Sequence, residues 1–86
     1  MHELSLALEI CRIAEEQVGA AVLPDVLEVG LEVGTESGIE ISNLAFCLDT
    51  LLGHPPFGRA HATIERTAGD DLRVTYLEVS DDRPTH

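Results

Sequence analysis

The chain has 86 residues, enough for one domain with a single core and little surplus of buried area. Sixteen Asp and Glu stand against five Arg and no Lys, for a formal net charge of −11. A field of that sign repels nucleic acid and anionic membrane surfaces, and it favours a cation or a basic protein partner.

Aromatic residues are few, Phe46, Phe57 and Tyr76, so aliphatic packing must carry the stability. No apolar run reaches membrane-spanning length. Residues 1–7 include an acidic side chain and lack the basic start of a signal peptide, so a cytoplasmic location with reduced thiols is the expectation.

The spacing predicts a helix over residues 5–20. Leu4, Ala7, Cys11, Ala14 and Val18 recur at intervals of three and four, Leu6, Ile10 and Ile13 form the adjacent row, and Ser5, Glu9, Arg12 and Glu16 make the wet face. Gly19 and Pro24 stop it. A strand follows over residues 25–33, where Leu27, Val29, Leu31 and Val33 alternate with Glu28, Gly30 and Glu32. Residues 35–38 read as a turn and Ser42 as the N-cap of a second helix over 43–52. Its apolar positions are Leu44, Ala45, Leu48, Leu51 and Leu52, joined by Phe46 and Cys47, and Gly53 with Pro55-Pro56 ends it.

Two further strands are predicted. One covers residues 60–66, with Ala60, Ala62 and Ile64 inward; the other covers 72–79, with Leu72, Val74 and Tyr76 on one face. The short connection between them contains Gly69-Asp70, which predicts an antiparallel hairpin. The expected fold class is therefore α+β, two helices packed on one face of a small three-stranded sheet. Residues 1–80 form the domain and 81–86 a frayed polar tail.

Chemistry concentrates at the start. Met1-His2-Glu3 offers the Met1 α-amine, the His2 amide, the His2 imidazole and the backbone or carboxylate of Glu3 as donors. Amine and amide nitrogens close a five-membered ring on a metal, and the amide with Nδ1 of the same histidine closes a six-membered one. Planar nitrogen donors suit Ni(II) or Cu(II) better than tetrahedral Zn(II). The site requires Met1 to keep a free amine. Elsewhere, His54, His61 and His86 lack partners at ligand spacing and read as exposed, unliganded side chains. Glu28, Glu32 and Glu40 read as solvated carboxylates. Cys11 and Cys47 belong to no Cys-x-x-Cys pair and read as buried free thiols, so structural zinc is not expected. No nucleophile motif or phosphate-cradling loop is visible, which argues against an enzyme.

The string Met1-His2-Glu3-Leu4-Ser5-Leu6-Ala7 resembles the opening of the HypA/HybF family, nickel-insertion chaperones of NiFe hydrogenase maturation. Val29-Gly30-Leu31-Glu32-Val33-Gly34, Asn43-Leu44-Ala45-Phe46-Cys47-Leu48 and Leu72 through Val79 resemble its later elements, in order. The zinc ribbon that the family inserts between its last two strands is missing, since Arg66-Thr67-Ala68 runs directly into Gly69. The resemblance implies Ni(II) held by Met1, His2 and Glu3. It implies as partners the nickel-handling GTPase of the pathway and the large subunit of a NiFe hydrogenase; a homodimer is a further expectation, from the small surplus of buried area in a chain of this length. An alternative is a HypA-like docking or structural subunit, stably associated with a hydrogenase or other oxidoreductase and no longer delivering metal. A third is an acidic homodimeric domain unrelated to metals.

Overall fold

A computed structural model describes residues 3–80. Helix α1 (Glu3–Val18) is followed by a 3-10 helix (Ala20–Asp25), strand β1 (Val26–Gly34), helix α2 (Ile41–Leu52) and strands β2 (His61–Thr67) and β3 (Leu72–Val79). The arrangement is α+β, as expected, with a three-stranded mixed sheet in the order β2-β1-β3. The expected tail at 81–86 lies outside the described residues.

In α1 the buried line is Ala7, Ile10 and Ala14, while Leu4 and Leu8 are each 53% exposed. Leu4 is thus not part of the inner stripe; a helix stripe this narrow is set by the three residues that meet the core squarely, and Leu4 is turned off that line. Gly19, at φ 86°, ends the helix, and its N–H closes on the Glu15 carbonyl at 2.8 Å. The 3-10 helix was not foreseen. It accommodates Pro24 and buries Leu23, turning the chain into β1 within six residues.

Helix α2 begins two residues earlier than predicted. Its N-cap is Glu40, whose carboxylate accepts from the Ser42 N–H at 3.1 Å; Ser42 itself is the second helical residue. Leu44, Leu48 and Leu52 form the buried line, four residues apart. Phe46 faces away from it and is 70% exposed. Leu23, Phe57 and Ala60 complete the core in which both helices meet Val26, Val29, Leu31 and Val33 of β1.

The predicted hairpin is not formed. β2 runs parallel to β1 through the α2 crossover, β3 runs antiparallel to β1, and β1 lies between them. The reason is burial. β1 is the most buried of the three strands over most of its length, as a central strand is, while β2 and β3 alternate half-buried and exposed residues as edges do. The 68–71 connection passes over the end of β1 instead of turning tightly. Its course is fixed by the Gly34 N–H donating to the Asp71 carbonyl at 2.7 Å, Thr35 to Thr67 at 2.8 Å and Glu36 to Gly69 at 2.8 Å. A Cβ at Gly34 would fall 2.2 Å from the Gly69 carbonyl oxygen, so the crossing needs glycine there.

Two opposed irregularities alter the alternation. Leu27 is an extra residue in β1 between the pairs Val26–Val79 and Glu28–Glu78, so Val26 enters the core in place of Leu27. Thr75 is an extra residue in β3 between Val74–Leu31 and Tyr76–Gly30. Leu72 and Val74 therefore share the helix side with Leu77 and Val79, and Tyr76 moves to the open face, contrary to the simple alternation.

Candidate metal site at the start of the first helix

Met1 and His2 lie outside the described residues; Glu3, the third residue expected at the metal, is the first residue of α1. Its half-buried carboxylate reaches across to the start of α2. Oε2 accepts the Glu40 backbone N–H at 3.1 Å and Oε1 accepts the Asn43 side-chain amide at 3.2 Å. The Glu40 N–H stands just ahead of the first turn of α2, where amides point outward without intrahelical partners. A carboxylate is the natural acceptor at such an end. The Glu40 amide is the chief cause holding the Glu3 carboxyl below its ordinary range, with Asn43 adding to it. Glu3 thereby fixes where the chain enters the fold.

Sequence reasoning missed Asn43 and the capping role of Glu40. The available signal was an acidic residue three positions ahead of Asn43 at a helix start, but its long-range partner could not be read locally. A hollow of about 220 Å³ adjoins this corner, lined by Gly34, Thr35, Ile39, Glu40, Ile41 and Arg66.

The remaining candidates are dispersed. Among the described residues no group of three or more His, Cys, Asp or Glu side chains is arranged to hold a metal ion. Glu28 and Glu32 lie on the open sheet face, apart from Glu40: Thr63 donates to Glu28 Oε2 at 2.6 Å, the Tyr76 hydroxyl donates to the same oxygen, and Arg73 pairs with Glu32. His54 contacts the Thr50 carbonyl through Nδ1 at 2.7 Å, and exposed His61 stands beside Glu28 in the β1–β2 register. Cys11 and Cys47 are free but only half-buried, and burial raises the Cys11 thiol. No helix among the described residues is long and apolar enough to cross a membrane.

The open face carries one titration that a single chromophore reports. Tyr76 lies over Gly30, where a Cβ would meet the ring at 2.0 Å, and its bond to the Glu28 carboxylate raises the phenol above its ordinary value of 10.0. Because Tyr76 is the only tyrosine and there is no Trp, its ultraviolet difference absorbance can be followed without interference. The expected midpoint lies above 10.0 in the folded protein and moves down toward it in Glu28→Gln. A raised phenol pKa stabilises the fold fully below the unfolded value, and the contribution is lost as pH rises through the folded one. An unchanged midpoint in Glu28→Gln would remove the bond from the account.

The fold and this corner define a small α+β domain in which an acidic first turn is tied to the capped start of a crossover helix. The model of a family described as hydrogenase/urease nickel incorporation, metallochaperone, HypA, matches residues 1–71, and the chain belongs to that family. The match ends in the loop ahead of β3. Similar proteins include the hydrogenase maturation factor HypA of Parabacteroides distasonis, 44% identical over 52 residues, which are 60% of this chain and 45% of the relative. Those of Azotobacter chroococcum (37% over 51 residues, 59% and 45%) and Psychromonas ingrahamii (43% over 49 residues, 57% and 43%) are comparable. The matched stretch thus spans under half the length of these relatives.

Proposed function

We propose that this chain is a nickel-carrying domain that binds Ni(II) at its N-terminus and passes it on during maturation of a NiFe hydrogenase large subunit, acting with the nickel-handling GTPase of that pathway in the cytoplasm. The observation that carries the reading is membership of the nickel-incorporation family over a stretch that begins at residue 1. Nickel is cargo, and its transfer is ligand exchange without a covalent step. The Met1 amine, the His2 amide and the His2 imidazole supply in-plane nitrogens, and the Glu3 backbone lies within reach of the same ion. The Glu3 carboxylate, held by Glu40 and Asn43, orients the peptide that carries these donors.

Binding requires amine, amide and imidazole to shed protons, so affinity rises as pH rises through the histidine range and falls as the donors are reprotonated. The experiment is calorimetric titration of Ni(II) into protein with a free Met1 amine and into the same chain extended by a short N-terminal tag. Strong binding in the first and its loss in the second are expected. Equal affinity in the two discards the terminal site.

A further inference from the structure

The sheet face turned away from the helices is open. It presents three rows across β2, β1 and β3: His61, Glu28 and Glu78; Thr63, Gly30 and Tyr76; Glu65, Glu32 and Arg73. Acidity is expected anywhere on a chain of net charge −11, and by itself it locates nothing. What singles out this face is the placement of its charges around an exposed aromatic ring.

Like charges stand directly opposite twice, Glu28 against Glu78 in the β1–β3 ladder and Glu32 against Glu65 in the β1–β2 ladder. Pairs so placed repel. Arg73 relieves the second through its bond to Glu32, whereas exposed Glu65 and Glu78 make no ion pair among the described residues. The chain has five Arg and no Lys against 16 Asp and Glu, and none of the described Arg reaches these two carboxylates. The cations that the face lacks must come from outside.

Tyr76 lies between the two pairs. Its ring covers Gly30, which has no side chain to lift it, and it is 46% exposed, so one side of the ring rests on the sheet and the other meets solvent. The hydroxyl is bound to Glu28 Oε2, which Thr63 also holds, so ring and carboxylate are fixed together. Glu78 follows two residues along on the same face. Neighbouring strands are ~4.8 Å apart and alternate residues of a strand ~7 Å, so a cation seated on the ring lies within reach of both carboxylates. A guanidinium can stack flat on the ring while its edge N–H groups point at the carboxylates; a compact, strongly hydrated ammonium does this less well.

We propose that Tyr76, with Glu28 and Glu78, is the seat for an arginine side chain of a partner protein. The occupant is an extended segment of that partner lying along the open face, with a second basic residue reaching Glu65. Glu65 belongs to the row four residues further along β1, about 13 Å away, which is the spacing of side chains i and i+4 on one side of an extended chain. A metal ion does not suit the face, since among the described residues no three His, Cys, Asp or Glu converge on one point. A polyamine supplies the charge without the plane that the ring selects.

The test is an amide NMR titration of the full chain with the end-blocked peptide Arg-Ser-Gly-Ser-Arg at ~0.15 M salt, where long-range attraction is largely screened. The peptide Lys-Ser-Gly-Ser-Lys and spermine are the comparators. Shifts are expected at residues 28–32, 61–65 and 73–78, with a dissociation constant on the order of 1 mM for the arginine peptide. The lysine peptide is expected to bind at least ~3-fold more weakly. Glu78→Gln and Tyr76→Leu each weaken the arginine peptide at least ~3-fold, whereas Glu15→Gln, which removes the same charge from the exposed side of α1, stays within ~1.5-fold. Glu78→Gln also relieves the repulsion from Glu28, so it melts at no lower temperature than the wild type, which separates lost binding from misfolding. Shifts of equal size along the Glu9 and Glu16 side of α1, or equal losses in Glu78→Gln and Glu15→Gln, reflect net charge alone and overturn the proposal. Spermine or the lysine peptide binding as tightly as the arginine peptide overturns it too, as does the absence of any response at ~10 mM peptide.

Discussion

Replacing Gly34 by alanine is expected to lower the thermal unfolding midpoint by roughly 10 to 20 °C. The added Cβ would lie 2.2 Å from the Gly69 carbonyl oxygen, 2.5 Å from its carbon and 2.8 Å from the Asp70 nitrogen. All three are backbone atoms, so no side chain can swing aside. The loop must lift by more than an ångström, and it is the loop that carries the chain from β2 over β1 to β3. Lifting it strains the bonds from Gly34 to Asp71 and from Glu36 to Gly69. Overpacking of this kind costs about 3 kcal/mol at the upper end of its usual range. A domain of this size has only ~4 to 13 kcal/mol in total.

Gly38→Ala is the control. Gly38 has φ 78° but nothing within 4 Å of its would-be Cβ, so the substitution brings backbone strain without a clash, about 1 kcal/mol. Circular dichroism melts of the two variants decide the matter. If Gly34→Ala melts with the wild type, or loses less than Gly38→Ala, the loop does not cross where described.

That crossing also shows what the sequence could and could not reveal. The helical stripes of Ile10 and Ala14, and of Leu44, Leu48 and Leu52, were legible because each is a local periodicity. So was the alternation of Val29, Leu31 and Val33. Strand order was not, because the Gly69-Asp70 turn signal is local whereas the choice of neighbour depends on which strand is the most buried. The glycines of β1 held a clue. Gly30 admits the Tyr76 ring and Gly34 admits the loop, both marks of close approach on the face taken to be merely acidic. The placement of Tyr76 was beyond reach, since one extra residue at Thr75 reverses the faces without any change in composition. At the candidate site the donor types could be read from Met1-His2-Glu3, but the tie from Glu3 to Asn43 spans 40 residues and leaves no periodic trace.

The same tie separates two roles for Glu3, and nickel affinity distinguishes them. Titrated with a free Met1 amine near pH 8, His2→Ala is expected to lose at least ~100-fold in affinity, because the imidazole nitrogen is lost and with it the six-membered ring that helps hold the residue 2 amide on the ion. Glu3→Gln is expected to stay within ~3-fold of the wild type. A glutamine oxygen can accept the Glu40 N–H, and its amide can donate to Asn43 once the Asn43 amide rotates to present oxygen, so the anchor survives without its charge. Glu3→Ala removes both bonds and frees the entry point of α1, and about 10-fold is lost, as when a group that orients a metal ligand is deleted. The order His2→Ala, Glu3→Ala, Glu3→Gln in declining severity makes Glu3 an anchor whose carboxylate points at α2. If Glu3→Gln instead falls as far as Glu3→Ala, the carboxylate must leave Glu40 and Asn43 to bind the ion, and nickel loading would then loosen the contact between the two helices.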